Sequence, residues 1–395
     1  MLPRLKLIRE GNTELYVPKG SAAGGVPENY PVFFNPAART NRDISVSVAT
    51  ATRPGTFLDA LAGTGARGVR VANECGKSSE REGANGKQVT LVDFNRNSLL
   101  VARRNVKKNA LEERCDVVHS EANRYLCSRF ERGEKFDAID VDPFGSPASY
   151  LQAALMASSD GGLVSFTATD AAVLCGVYPS VSVRRYGALS VRNEFVHETG
   201  IRILLGFAAR MGGINDIGVE PVLAHSTLHY FRAYVRVRKG AALADRSVQS
   251  MGYVSQCNGC FERSAGAMPL SRCVACGTRV RSAGPLWVGR IVDERVAPIA
   301  SSICSKEGWR DAAATLDGLN GIDGLPPFSY SLERACSRER VPSVSVERVI
   351  DALCAMGFAA ARQPFEPDGV KTDASYRQFA EAVRSVSGSP SDQTD

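Results

Sequence analysis

The chain has 395 residues, enough for two or three domains with sizeable cores, and its 44% hydrophobic and 23% charged content is that of an ordinary globular protein. A net charge of +6, with 48 lysines and arginines spread along the chain, is compatible with a polyanionic partner but does not demand one. No apolar run approaches the roughly 18 residues of a membrane span and no secretory segment is seen, so membrane classes are set aside; eleven cysteines without an export signal fit reduced thiols and a cytoplasmic location.

Residues 1–50 read as an extended arm, Pro- and Gly-rich between Pro18 and Pro36 and carrying Phe33-Phe34-Asn35-Pro36. Residues 56–61 form a short buried strand that runs into Gly63-Thr64-Gly65 and a helical pattern (Val69, Val71, Ala72, Cys75). Residues 76–88 read as a polar, exposed insertion. Strand 88–93 ends at Asp93; a basic-faced helix follows over 95–109, then strand 116–119, Glu121-Ala122-Asn123, and a helix to about Phe130. Residues 136–141 are a fourth buried strand running into Asp142-Pro143-Phe144-Gly145. A helix over 147–158, a strand over 162–168, a long helix over 191–211 and paired strands over 217–225 and 228–238 complete the unit. Repeated strand–helix–strand units mean a parallel, doubly wound sheet, here with an antiparallel edge, which fits an adenosylmethionine-dependent methyltransferase. From about 247 the texture changes to a cysteine cluster, helical segments near 303–315, 346–356 and 374–386, and a frayed end over 387–395, which sets domains at 1–246 and 247–395.

An acid at the end of the second strand can accept hydrogen bonds from both ribose hydroxyls of an adenosine, and Asp93 stands there. Glu121, after the third strand, is placed to bracket an adenine together with the Ala122 backbone. Gly63, Gly65 and Gly68 also satisfy the dinucleotide spacing, so a dehydrogenase stays in view. Against it, Arg67 occupies a position where a pyrophosphate wants bare backbone, and Asp59 adds negative charge near the phosphates. A cationic sulfonium with an amino-acid tail tolerates such acids, which favours S-adenosylmethionine.

The Asp142-Pro143-Phe144 turn suits an exocyclic amine on a planar ring. Such a nitrogen donates its lone pair into the ring. A carboxylate and the Pro143 carbonyl, accepting its two hydrogens, would orient it and localise the lone pair; the carboxylate would stabilise the charge that develops and take the proton, while Phe144 stacks on the ring. Phe33 is a candidate second face; anchoring the arm in the core is the competing role. DNA adenine methylation uses a similar acid–proline–aromatic turn and is the rival enzyme class. A non-catalytic nucleic-acid-binding adaptor is a third reading, which the intact acids oppose.

Cys257-x-x-Cys260 and, twelve residues on, Cys273-x-x-Cys276 have knuckle spacing, with Gly259 and Gly277 suited to the turns. Four thiolates make a closed, structural tetrahedral zinc site; neither pair has the βαβ context of a redox motif. Phosphate contacts could come from the basic positions 103, 104, 107 and 108, or from Arg184 and Arg185. No obligate protein partner is evident.

Together these residues resemble the tRNA guanine-26 N2-dimethyltransferases, the Trm1 family. The matching segments are Phe33-Phe34-Asn35-Pro36 with Asn41-Arg42-Asp43, Gly65-Ala66-Arg67-Gly68, Val92-Asp93, Glu121-Ala122-Asn123-Arg124 and Asp140-Val141-Asp142-Pro143-Phe144-Gly145-Ser146-Pro147. Thr169-Asp170 with Leu174-Cys175-Gly176, His229-Tyr230-Phe231-Arg232-Ala233, Gly284-Pro285-Leu286-Trp287 and Gly369-Val370-Lys371-Thr372-Asp373 continue the match. The resemblance implies a class I (Rossmann-like) methyltransferase sheet and a smaller α+β carboxy-terminal domain with a zinc knuckle, in the compact archaeal form. It implies that residues matching Arg42, Arg67, Asp93, Glu121 and Ala122 hold S-adenosylmethionine, that Asp142 is catalytic, and that Phe33 and Phe144 flank a guanine of tRNA.

Overall fold

The computed structural model describes residues 3–21, 31–75 and 88–388. The middle of the arm, the insertion after Cys75 and most of the frayed end lie outside the described residues.

The amino-terminal region is more structured than an extended arm. Strands β1 (Leu5–Glu10) and β2 (Thr13–Pro18) form an antiparallel hairpin, and helix α1 spans Arg39–Thr52. The helix escaped the sequence reading because its buried face carries Asn41, Arg42, Asp43, Ser45 and Ser47 among the aliphatic residues, which breaks the hydrophobic period.

The central sheet contains β3 (Phe57–Asp59), β4 (Val89–Asp93), β5 (Cys115–His119), β6 (Phe136–Val141), β7 (Ser158–Ala168), β8 (Ile217–Thr227) and β9 (Tyr230–Lys239), in the order β5-β4-β3-β6-β7-β9-β8. The first five strands in that order are parallel, and β9 runs antiparallel to β7 and β8. The strands alternate with α2 (Ala66–Glu74), α3 (Arg96–Lys108), α4 (Ala122–Glu131), α5 (Leu151–Ala157), α6 (Ala171–Leu174), α7 (Pro179–Tyr186) and α8 (Val196–Gly213). The chain winds outward from β3 to β5 and then returns to β6 on the other side of β3. This reversal opens a crevice at the carboxyl ends of β3, β4 and β6. Strand β7 begins at Ser158, earlier than its apolar run, and a register shift against β6 takes up the Gly161-Gly162 pair.

After α9 (Ala241–Gln249), strands β10 (Met251–Gln256), β11 (Arg263–Gly266) and β12 (Ser282–Trp287) make a small antiparallel sheet beside the cysteine cluster, a sheet the sequence reading did not foresee. The helical pattern near 303–315 is two helices, α10 (Ala297–Lys306) and α11 (Arg310–Asp317), separated at Gly308, whose φ of 72° no helix interior accepts. The chain ends in β13 (Tyr330–Ser331), α12 (Leu332–Glu339), α13 (Val346–Ala355), β14 (Ala360–Arg362), β15 (Gly369–Thr372) and α14 (Tyr376–Ser387), the last three strands forming a third sheet.

The cores do not divide where the texture of the sequence changes. One continuous apolar core runs from Leu15 to Phe328 and takes in α10 and α11, which pack on α1; a second core gathers residues between Tyr330 and Val383. Arg70 of α2 is fully buried between Asp43 (2.5 Å) and Glu74 (2.9 Å), and the Trp309 ring covers its guanidinium at 5.0 Å. The two cores are stapled by a buried ion pair: Lys371 on β15 places Nζ 2.7 and 2.8 Å from the carboxylate oxygens of Glu198 on α8, which also pairs with Arg202. No helix among the described residues is long and apolar enough to cross a membrane, and no disulfide joins the described cysteines.

Candidate active site

Asp142 is the first residue beyond the buried strand β6, at the crevice, and its side chain is partly exposed. The turn that follows is fastened to the loop after β7. Gly145 N–H donates to Thr169 Oγ1 at 2.7 Å and Thr169 N–H returns a bond to the Gly145 carbonyl at 2.7 Å. Gly145 has φ 75°, which an L side chain resists, so glycine is required there. Ser146 Oγ meets the Tyr186 hydroxyl at 2.7 Å, and that hydroxyl donates to Asp170, again at 2.7 Å.

Asp142 is clamped from behind. The Arg67 guanidinium, buried on α2, donates Nη2 to Asp142 Oδ2, sets Nε 3.2 Å from Asp140 Oδ1, and gives Nη1 to Asn41 Oδ1 at 2.8 Å and to Ser45 Oγ. The Thr167 hydroxyl lies close enough to the same carboxylate to help hold its charge. Burial alone would raise the Asp142 carboxyl; the Arg67 and Arg232 guanidiniums and the Thr167 hydroxyl outweigh burial and hold it below the usual carboxylate range. Asp59 has the opposite fate. Burial and the neighbouring Asp140 charge push it up to about 7, Arg67 only partly offsetting them, although its Oδ2 accepts the Gly68 N–H at 3.2 Å.

The aromatic candidates meet. Phe33 and Phe144 have ring centroids 4.5 Å apart at an interplanar angle of 81°, edge to face. A base stacked between two faces needs about 7 Å between them, two stacking distances, so the rings as found touch and do not frame a slot. Phe144, 75% exposed, is the freer of the two. The arm does fold over the crevice. The Phe33 carbonyl lies 3.7 Å from where a Cβ on Gly63 would stand, and Asn95 Nδ2 donates to the Pro31 carbonyl at 2.8 Å.

On the cofactor side, Asp93 ends β4 with Oδ2 accepting the Gly63 N–H at 2.7 Å and Oδ1 accepting the Asn95 N–H at 2.8 Å; burial raises its pKa, opposed by those two bonds. Gly65, with φ 74°, starts α2, and a Cβ on Gly68 would sit 2.2 Å from Leu91, so the glycine lets helix and strand close up. Glu121 caps α4, accepting the Asn123 and Arg124 N–H groups at 3.0 and 2.8 Å, and Ala122 begins that helix, buried. A cavity of about 520 Å³ beside them is lined by Phe94, His119, Glu121 and Arg124. Arg42 lies behind the arm, bidentate to Glu10 at 2.7 and 2.6 Å, with Nη1 on the Asn35 carbonyl. Both arginines expected at the cofactor thus make internal ion pairs in this structure.

The four cysteine sulfurs converge. All lie within 4.8 Å of one another, with Cys257–Cys276 and Cys260–Cys273 at 3.5 Å. Bonds of about 2.3 Å to a tetrahedral zinc give S···S edges near 3.8 Å, so the donor set fits.

Sequence reasoning missed Phe94, which follows Asp93 and is exposed, and the polar lattice behind Asp142: Ser45, Thr167, Tyr234 and Arg232. Arg232 lay in a quoted motif, but nothing in the sequence showed that it points inward.

Strand order, a glycine turn after the first sheet strand, an acid after the second and Asp-Pro-Phe after the fourth define a class I methyltransferase. The model of the N2,N2-dimethylguanosine tRNA methyltransferases matches residues 11–384. A tRNA (guanine(26)-N(2))-dimethyltransferase of Pyrococcus horikoshii is 33% identical over 96% of this chain and 98% of its own length, and that of Methanopyrus kandleri is 34% identical over 97% and 98%. The solved complex of Trm1 from Pyrococcus horikoshii with S-adenosyl-L-methionine superposes with a TM-score of 0.83 at 31% identity, covering 96% of this chain and 99% of that one. The chain belongs to the N2,N2-dimethylguanosine tRNA methyltransferase family.

Proposed function

We propose that this protein transfers methyl groups from S-adenosylmethionine to the exocyclic N2 of guanine 26 in tRNA, giving N2-methyl- and N2,N2-dimethylguanosine. The observation that carries the reading is the Asp142 carboxylate paired with Arg67 at the strand end, beside the Phe33–Phe144 pair.

S-adenosylmethionine, when bound, supplies an electrophilic methyl group. Asp93 would take the ribose hydroxyls on its remaining lone pairs, Glu121, Ala122 and Phe94 would bound the adenine, and Gly63 and Gly65 would let the backbone close on the ligand, with Asp59 beneath. Arg42 and Arg67 stand behind this site, Arg67 reaching both it and Asp142. Asp142 and the Pro143 carbonyl would accept the two amine hydrogens and point the nitrogen lone pair at the methyl. A carboxylate of low proton affinity stabilises the cationic nitrogen and passes its proton on to water. Phe144 would turn off Phe33 to admit the base, which must leave the tRNA stack. The zinc knuckle of Cys257, Cys260, Cys273 and Cys276 has no open position, so its role is structural. Residues 1–246 carry the chemistry and 247–395 the zinc knuckle and the second core, with α10 and α11 completing the first core, in a cytoplasmic enzyme.

Of the two basic clusters, α7 suits the RNA. Arg185 bonds Asp170 at 2.6 Å, on the loop that fastens the Asp-Pro-Phe turn, and Tyr178, Val183 and Arg184 are exposed beside it. The α3 lysines lie about 18 Å along the helix from the crevice, at 1.5 Å per residue, and Lys108 pairs with Glu14. Incubation with labelled cofactor and unmodified tRNA, followed by nucleoside analysis, tests the whole reading. The expected product is N2-methylated guanosine at the D-stem–anticodon-stem junction; methyl on adenine, on another guanine atom or on DNA would overturn it.

A further inference from the structure

Arg232 on β9 is fully buried, and beyond its charge near Asp142 the chemistry above gives it no task. Its Nη2 pairs with Asp140, its Nη1 donates to Thr167 Oγ1 at 2.6 Å, and its Nε donates to the Tyr234 hydroxyl at 2.8 Å. That hydroxyl meets Ser45 Oγ at 3.0 Å, and Ser45 accepts from Arg67. Arg67 in turn faces Asp140 and Asp142. The result is a closed ring, Arg232–Asp140–Arg67–Ser45–Tyr234, drawn from four separate elements and with Asp142 on its crevice side.

We infer that Arg232 is a positioning residue that sets the orientation and charge of Asp142, acting through the Thr167 hydroxyl on one side and through Asp140 and Arg67 on the other. This inference rests on the function proposed above.

The Thr167 route follows from proton counting. A hydroxyl has one proton and two lone pairs. Arg232, a pure donor, occupies a lone pair, so the proton is left free to turn toward Asp142, whose charge it helps to hold. The Asp140 route follows from charge. Two guanidiniums stand against Asp140 and Asp142, with Asp59 lifted to about 7 by burial and the Asp140 charge. Asp140 gives Oδ2 to Arg232 and to the Ser165 hydroxyl at 2.8 Å and faces Arg67 Nε with Oδ1 as an ion pair at 3.2 Å, which leaves Arg67 Nη2 for Asp142. Without Arg232, Asp140 would draw Arg67 to itself and Asp142 would lose both a cation and an aligned donor.

Around Asp142 the charged and titratable groups are Arg67 from α2, Asp59 from β3, Asp140 from β6, Arg232, Tyr230 and Tyr234 from β9, and His225 from β8. Burial and the nearby Arg232 and Arg67 charges bring His225 down to about 3, so it stays neutral through the working range. Asp59, at about 7, titrates within the working range in wild type and variants alike, whereas Asp142, held below the usual carboxylate range, adds to the acid limb of activity only where its supports are lost. Removing its supports raises its pKa and moves that limb to higher pH.

The test compares Thr167→Val, Arg232→Lys and Arg232→Gln with wild type in kcat, KM for tRNA, cofactor affinity and the pH profile of kcat between about 5 and 8. Thr167→Val, close in shape, is expected to lower kcat severalfold at neutral pH and more at the acid end, with KM and cofactor affinity within about twofold. Arg232→Lys should keep part of kcat and an intermediate acid limb; Arg232→Gln should shift the limb furthest. A merely structural Arg232 would lower the melting temperature and leave the acid limb of the folded enzyme in place. Folded Thr167→Val and Arg232→Lys proteins with wild-type kcat and acid limb would overturn the inference, and Thr167→Val decides it if Arg232→Gln does not fold. Should wild type fail to methylate tRNA, the function falls separately. The Asp142 carboxyl, followed by carbon NMR in labelled protein, then still reports whether its titration moves up in Thr167→Val, as inferred, or stays, which refutes it.

Discussion

Replacing Asp142 with asparagine keeps the shape of the side chain and one oxygen for Arg67 but removes the charge. In the reaction a full positive charge develops on a nitrogen hydrogen-bonded to that carboxylate, about 3 Å away. Coulomb's law gives about 5 kcal/mol at an effective dielectric of 20. Arg67 and Thr167 already occupy part of the Asp142 charge, so the realised share is smaller, near the roughly 3–4 kcal/mol measured when one oriented partner of a developing charge is removed. The expected result is a fall in kcat of about 10²–10³-fold. The assay is single-turnover methyl transfer to unmodified tRNA, with cofactor affinity measured by calorimetry. Affinity should change little, because the ribose and adenine partners proposed above lie on β4 and α4. A kcat within about threefold of wild type would refute an electrostatic role for Asp142, and so the amine-site geometry itself.

Asp93→Ala should weaken cofactor binding by about 1–3 kcal/mol in calorimetry, the worth of bonds to a charged acceptor; unchanged affinity would place the ribose elsewhere. Elemental analysis should find one zinc per chain, and Cys273→Ser should open the carboxy-terminal region to proteolysis while cofactor still binds; a metal-free protein of full stability would refute the site. Glu198, 0% exposed, titrates at about 2 against an ordinary 4.5 because the Lys371 and Arg202 charges outweigh its burial, so its stabilisation is complete above 4.5 and drains away as pH falls toward 2. That is at most about 3 kcal/mol, since desolvation holds Lys371 down at about 8 and offsets part of the gain; acid unfolding of Glu198→Gln should lose its slope in that window. Arg184→Glu should raise KM for tRNA severalfold and flatten its salt dependence, whereas Lys107→Glu should do neither; the reverse pattern would move the RNA to α3.

The middle of the sheet was legible in the sequence because β3, β4 and β6 are short apolar runs that end at or beside an acid, and because glycine and proline follow them. The cysteine spacing was legible for a similar local reason. What stayed hidden was non-local or polar. Helix α1 buries a row of side chains that a hydrophobic period would count as solvent-facing. The ring behind Asp142 joins Thr167 to Arg232, Asp140 to Arg232 and Ser45 to Tyr234 across 65, 92 and 189 residues. Phe33 and Phe144 were both singled out, but only coordinates could show that they touch edge to face.

The cover that Trp309 and helices α10 and α11 give to α1 and Arg70 has a consequence for synthesis on the ribosome. When residue 246 emerges, every strand of the catalytic sheet has been made, yet the Arg70–Asp43–Glu74 cluster and the outer face of α1 remain open to water. Helix α1 carries Asn41 and Ser45, which hold Arg67, and through it Asp142. The cover arrives 71 residues later, at Asp317, or about 4–14 s at 5–20 residues per second. For that interval the nascent chain has its reactive centre drawn but not braced.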